Sequence, residues 1–252
     1  MIALEFPPIN EILRWKDLFP TFNKIALIAV AAALIGTLIF LLAGSKDAKV
    51  APKGIRNFAE SIVEFIENGI IMQTMGRQGL GWTPFLLSLF SFIYLCNVPG
   101  IIPFFQMPAT ARMAVPMFLA LMVWVIYNVT GIKHQGVGGY LKSTLFPPGV
   151  PKALYILVTP IEFISAIIVR PFSLAVRLFA NMMAGHILLV TFALLSEALF
   201  QAKDKVLIPV GILPFLMLVF LTSFEVLVAF LQAYIFAMLT AVYIGGATHP
   251  EH

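Results

Sequence analysis

Four polar side chains interrupt one long apolar segment of this chain and restrict how it can fold. Arg170, Ser173, Arg177 and Asn181 lie within residues 153–195, where almost every other position is apolar. Their spacings of 3, 4 and 4 residues place all four on one narrow face of an α-helix. If this helix crosses a membrane, each charge costs about 2.5–3.5 kcal/mol at the bilayer centre. A cost of this size favours a functional role for the polar face.

Small side chains flank the polar face. Ser173, Ala180 and Ala184 leave room for another helix to approach closely. His186 points to nearly the opposite side of the helix. The pattern therefore predicts that the face carrying Arg177 meets a partner.

The composition is that of an integral membrane protein. The 252 residues are 60% hydrophobic and only 11% charged, and the mean hydropathy is +0.97. A soluble domain of this length needs a more polar surface. The formal net charge of +4 is small and comes from the loops, which argues against a nucleic-acid partner. The single cysteine, Cys96, excludes a disulfide within the chain.

We predict an all-α membrane protein with five membrane helices, one amphipathic surface helix and a single membrane domain. The predicted parts are an N-terminal surface segment (1–22), a first span (23–44), an amphipathic helix (54–76), a two-span hairpin (83–132) and two long helices (153–197 and 206–244). The first 22 residues mix acidic, basic and proline residues, so no cleavable signal peptide is expected.

The last two segments are too long to cross a bilayer upright. At 1.5 Å per residue they would measure about 67 Å and about 58 Å, about twice what a bilayer needs. Either each is broken into pieces or each is steeply tilted. We favour two tilted helices that form a hairpin.

Basic residues follow the first span and return after the third. They are Lys46, Lys49, Lys53 and Arg56, and then Lys133, Lys142 and Lys152 in a predicted loop over 133–152. Cytoplasmic loops of membrane proteins are enriched in Lys and Arg, so both groups are predicted to be cytoplasmic. The connector 201–205 then lies outside, and the tail 248–252 returns to the cytoplasm.

Residues 54–76 have one acidic and one apolar face. Glu60, Glu64 and Glu67 share the acidic face. We predict that this helix lies along the membrane surface. The alternative is that it packs on the soluble part of a partner subunit.

A second polar line lies on the last long helix. Glu225 and Gln232 are seven residues apart and so share a face. A carboxylate in hydrocarbon needs water or a partner. His186 is the candidate partner.

Two sequence stretches resemble subunit a of the F-type ATP synthases, the stator channel subunit of a membrane rotor motor. They are Arg177-Leu178-Phe179-Ala180-Asn181-Met182-Met183-Ala184-Gly185-His186 and, after Glu225, Leu231-Gln232-Ala233-Tyr234-Ile235-Phe236. The resemblance runs from the first span onward and is strongest from Glu162 to Tyr243.

The resemblance implies roles for individual residues. Arg177 matches the essential arginine of that family, and Asn181, Glu225 and Gln232 match polar positions of its proton path. His186 and Glu225 match the arrangement of mitochondrial members. Glu162 resembles the acidic residue ahead of the arginine, but one residue further away than usual, so a bulge would be needed to keep it facing the path.

The resemblance also implies partners and a location. They are a rotor ring of c subunits, peripheral-stalk b-type subunits and lipid, in a bacterial inner membrane, with no cofactor. The family's picture is a ring whose carboxylates pass between two aqueous half-channels. From helix direction, the outer half-channel is assigned His186, Glu225, Asn181 and Gln232. Glu162, Arg170 and Ser173 are assigned to the cytoplasmic side.

Several alternatives remain open. Arg170 could snorkel to the interface, Asn181 or His186 could serve helix packing, and Glu162 could be a structural carboxyl. An ion-coupled secondary transporter would also bury charges in long helices, although the sequence shows no internal repeat. Nucleophile–base pairs and metal-ligand spacings are not found, so neither a catalytic site nor a metal site is predicted.

Overall fold

The computed structural model describes residues 24–44, 54–102, 108–146, 151, 154–201 and 208–248, and all regular structure within them is helical. The α-helices are α1 (Lys24–Gly44), α2 (Ile55–Ile66), α3 (Thr83–Ile101), α4 (Ala114–Leu145), α5 (Tyr155–Ile164), α6 (Arg170–Phe200) and α7 (Ile212–Thr248). The predicted N-terminal surface segment, Lys46 to Lys53, Lys152 and the tail after Thr248 lie outside the described residues.

Five helical stretches among the described residues are long and apolar enough to cross a membrane. They are Ile25–Gly44, Gly76–Ile101, Ala114–Leu145, Tyr155–Phe200 and Pro209–Thr248. The prediction of an all-α membrane protein with about five spans is confirmed. The last two stretches have 46 and 40 residues, whereas about 20 suffice for a bilayer. They pack against each other along α6 and α7, while their tilt stays a prediction.

Helix α7 lies at the centre of the bundle, between α3 and α6. Four alanines spaced four residues apart allow this, and each is completely buried: Ala229, Ala233, Ala237 and Ala241. In a membrane the helices gain little from excluding water, so close van der Waals packing across small residues must hold them together. Larger residues such as Leu178, Ile93 and Phe236 fill the spaces around this stripe.

The amphipathic segment packs on the rest of this chain. Ile66, Ile70 and Ile71 have no exposed surface and belong to the main core. Phe65 meets Phe90 of α3 and Tyr234 of α7, with ring centroids 5.9 Å and 5.7 Å apart. The helix widens into a π-helical turn at Glu67–Ile71 and then continues through Met72–Thr74 and a 3-10 segment to Trp82. Its position along the membrane surface stays a prediction.

The loop predicted over residues 133–152 differs from the structure. Helical residues continue to Leu145, interrupted only at Gly136, whose φ of 73° and ψ of 162° turn the chain. Tyr140 returns to donate a hydrogen bond of 3.0 Å to Asn128. Gly131 makes room for the Tyr140 ring, which would collide with a β-carbon there. The run of glycines indicated a loop, but of Gly136, Gly138 and Gly139 only Gly136 has a positive φ.

Helix α3 contains a proline near its C-terminal end. Pro99 lies inside it, and the helix ends at Ile101. Asn97, which is 1% exposed, accepts a short hydrogen bond from Thr110. Its amide also lies 3.4 Å from the Ala229 carbonyl of α7. This polar link fixes α3 against the central helix where the chain turns.

Candidate functional site

The polar face predicted on α6 lies on the outside of the chain. Ser173, Arg177 and Asn181 are all exposed, as are Ala180 and Ala184 beside them. The Arg177 guanidinium forms no hydrogen bond or ion pair with any residue that the structure describes. A guanidinium in an apolar setting has a strong need for hydrogen-bond acceptors. This face is therefore incomplete without water or a partner.

Helix α7 forms a hydrogen bond to the backbone of Arg177. Gln232 is 3% exposed and donates a hydrogen bond of 2.7 Å from Nε2 to the backbone carbonyl of Arg177. The bond reaches the main chain and leaves the guanidinium free to point outward. It also fixes the relative height of α6 and α7, since the two residues must lie at the same level.

His186 of α6 and Glu225 of α7 are buried, about two to three helical turns from Arg177. They are 4% and 5% exposed, respectively. No hydrogen bond or ion pair joins them among the described residues, so the expected pairing is not formed. Instead, the Glu225 carboxyl lies over Gly185, where its Oε1 is 2.8 Å from the place that a β-carbon would occupy.

The absence of the expected contact between His186 and Glu225 has a simple geometric reason. Adjacent residues on a helix point about 100° apart, so a carboxyl lying over Gly185 does not face His186 directly. The Oε2 atom of Glu225 is buried and has no hydrogen-bond partner within the described part of the chain. A buried carboxylate oxygen without a partner is costly. Small polar molecules such as water would stabilise it.

At the other end of α6, a second polar group surrounds a wide helical turn. The helix is continuous from α5 to α6 through a π-helical turn at Ser165–Val169. On either side of this turn, Glu162 Oε2 and Arg170 Nη2 lie 3.8 Å apart. The Arg170 guanidinium also lies 5.7 Å from the ring centroid of Tyr243. The bulge that the spacing of Glu162 required is therefore present.

Three aromatic residues of this second group were not predicted from the sequence. Trp124 and Tyr127 of α4 contact the wide turn, and Tyr127 packs on Tyr243 with ring centroids 5.6 Å apart. Tyr and Trp are ordinary residues in apolar helices, so their types alone do not mark a site. Their hydrogen-bonding ends, which must find partners when buried, were the available signal.

Comparisons with known proteins identify the family. The family model described as ATP synthase A chain matches residues 25–245. The chain is 46% identical over 232 residues to the ATP synthase subunit a of Frankia alni, covering 91% of this chain and 79% of that one. It is 39% identical over 249 residues to the ATP synthase subunit a of Mesorhizobium japonicum, covering 99% and 94%.

A third relative, the ATP synthase subunit a of a Nocardioides species, is 39% identical over 226 residues, covering 90% of this chain and 82% of that one. The family model's match reaches all five candidate spans and includes both polar groups. Together with the relatives, it confirms the resemblance found in the sequence. The chain therefore belongs to the ATP synthase A chain family.

Proposed function

We propose that this chain is the proton-translocating stator subunit of a rotary ATP synthase. It would form two aqueous half-channels that lead to carboxylates on a rotor ring of c subunits. The observation that carries the proposal is the exposed guanidinium of Arg177 on a membrane helix. Small residues beside it leave room for a moving partner surface.

The chemistry of the guanidinium accounts for its place in the mechanism. It stays charged under physiological conditions and attracts the ionised form of a passing carboxylate. A ring carboxylate must therefore release its proton before it passes Arg177. Protons that enter from one half-channel cannot travel directly into the other, and the ring has to rotate to deliver them.

The buried pair of α6 and α7 fits the outer half-channel. Glu225 and His186 lie further toward the C-terminal end of α6 than Arg177 does, by about 13 Å at 1.5 Å per residue. Water at the free Oε2 of Glu225 would relay protons between this region and the exposed face. Asn181 and Gln232 complete this half-channel.

The second polar group fits the half-channel on the opposite side. Glu162, Arg170 and Ser173 lie before Arg177 in the helix, at the end where the basic loops predict the cytoplasm. The Glu162–Arg170 pair is about one-third exposed on each side, so it contributes at most about 1 kcal/mol to stability. Because the ion pair is weak and accessible, the Glu162 carboxylate would exchange protons with water, while Arg170 stays charged.

The assembly follows from the same proposal. The chain would sit in a bacterial inner membrane, in contact with lipid, the c ring and peripheral-stalk b-type subunits, with its C-terminus in the cytoplasm. It would neither bind nucleic acid nor catalyse ATP chemistry itself. Nucleotide chemistry would belong to other subunits of the complex.

Replacement of Arg177 by Ala tests the proposal. In membrane vesicles containing the complete ATP synthase, Arg177→Ala is expected to abolish ATP-driven proton pumping while the complex remains assembled. Arg77→Ala, which removes an exposed arginine of the 3-10 segment Gly76–Trp82 that precedes α3, serves as the matched control. Normal pumping by Arg177→Ala would refute the role of Arg177. Solute uptake by the purified chain alone in liposomes would instead support a secondary transporter.

A further inference from the structure

The backbone carbonyl of Ala166 accepts two hydrogen bonds from side chains of α4. Trp124 Nε1 donates at 3.0 Å and the Tyr127 hydroxyl at 3.1 Å. The two donors are three residues apart and so lie on one face of α4. Tyr127 is only 2% exposed, so its hydroxyl depends on this partner.

The sequence around Ala166 explains why the carbonyl is free. In the wide turn the N–H of Arg170 bonds to the carbonyl of Ser165, one residue earlier than Ala166. The next residue is Pro171, which has no N–H to give. The backbone therefore offers no donor to Ala166, and a buried carbonyl without one is costly. Trp124 and Tyr127 supply the hydrogen-bond donors that the helix itself cannot.

The wide turn also decides where Glu162 points. Arg170 lies eight positions after Glu162, which in an uninterrupted α-helix would place them about 80° apart around the axis. A π-helical turn takes up one extra residue, so the separation falls to about 20°. The observed distance of 3.8 Å between Glu162 Oε2 and Arg170 Nη2 agrees with the smaller angle.

We propose that Trp124 and Tyr127 are positioning residues that hold the extra residue of this helix at Ser165–Val169 and thereby keep Glu162 on the same face as Arg170. Without their two hydrogen bonds, the wide turn has no fixed place and can move along the helix. Glu162 then loses its alignment with Arg170. The role of that alignment in proton movement rests on the proposed function, whereas the fixing of the turn does not.

Replacing both donors tests this inference in the assembled ATP synthase. Trp124→Phe with Tyr127→Phe keeps aromatic rings in place and removes both donors. We expect roughly a tenfold loss of ATP-driven proton pumping, since displacing a reacting group by about 1 Å can cost that much or more. Tyr94→Phe is the matched control, because its hydroxyl makes no hydrogen bond within the described residues and its ring still stacks on Phe90.

Deletion of Ile167 separates positioning from general stability. Its side chain is 43% exposed, so little packing is lost. After the deletion Arg170 lies seven positions after Glu162, which places them on one face of an ordinary α-helix. The wide turn is then no longer needed. On this background, the two phenylalanine substitutions are expected to cost much less pumping than in the wild-type chain, because the alignment of Glu162 with Arg170 no longer depends on a wide turn. Only the small cost of the Ala166 carbonyl remains, since Pro171 then lies four positions after it and still offers no N–H.

The outcomes are distinct. An equal pumping loss with and without the Ile167 deletion would show a merely structural role and overturn the inference, as would normal pumping by the double variant. If the double variant fails to assemble, Tyr127→Phe replaces it under the same criteria. Arg177→Ala is measured in parallel: its normal pumping would refute the proposed function, whereas failure of the epistasis alone would refute only the positioning role.

Discussion

Gln232 Nε2 lies 2.7 Å from the backbone carbonyl of Arg177 and donates a hydrogen bond to it. The bond joins two helices whose residues are 55 positions apart in the chain. It supports Arg177 through the main chain and leaves the guanidinium without a partner among the described residues. The charged group is thus held at a defined height but is not neutralised by its own subunit.

Gln232→Leu should weaken this support without removing the charge. The carbonyl of Arg177 would lose the hydrogen bond that it accepts from Gln232, at a cost of about 0.5–1.5 kcal/mol. We expect reduced but measurable ATP-driven pumping and a slightly lower thermal stability of the complex. Complete loss of pumping in an assembled complex would show that Gln232 does more than support the backbone.

Arg177→Lys should not restore the function lost in Arg177→Ala. An ammonium group can release its proton in an apolar setting, whereas a guanidinium stays charged, and lysine also lacks the planar fork of donors. The expected result is an assembled complex with little ATP-driven pumping. Wild-type pumping rates for Arg177→Lys would show that any positive charge suffices at this position.

Glu225→Gln should slow proton entry from the outer side. The substitution keeps the shape of the side chain but removes the group that can take up and release a proton. ATP synthesis driven by an imposed proton gradient in vesicles is expected to fall. Glu64→Gln, an exposed residue of α2, is the matched control. Unaltered synthesis by Glu225→Gln would remove this residue from the path.

Gly185→Ala should displace the Glu225 carboxyl. A β-carbon at this position would lie 2.8 Å from Oε1 and 3.3 Å from Cδ, so the flexible end of Glu225 must move. We expect lower synthesis rates with the complex intact. Gly246→Ala is the matched control, because nothing lies within 4 Å of its β-carbon position.

The double variant Gly185→Ala with Glu225→Gln tests whether the effect of Gly185→Ala arises from displacement of the Glu225 carboxyl. If Gly185 acts through the Glu225 carboxyl, the double variant should lose little more than Glu225→Gln alone, because residues in contact are not additive. Fully additive losses would indicate that Gly185 serves helix packing independently of Glu225.

The sequence predicted best what depends on local patterns. The apolar lengths and the spacing of Ser173, Arg177 and Asn181 indicated the spans and the exposed polar face, because both follow from the helical repeat. The extra residue before Arg170 even indicated a bulge. The same local reasoning gave a loop over 133–152, since it could not tell Gly136, which turns the chain, from Gly138 and Gly139, which lie in the helix.

Composition and helical periodicity by themselves determined that this chain is a bundle of membrane helices with a charged face on α6. Tertiary structure alone decided which atoms complete that site: the Glu225 carboxyl lies over Gly185 instead of bonding to His186, and Trp124 and Tyr127 bind the Ala166 carbonyl. The position of a residue in the helical repeat determines which way its side chain points from its own helix. The contact it makes depends on how closely another helix packs, and residues about 40 positions away in the chain decide that distance.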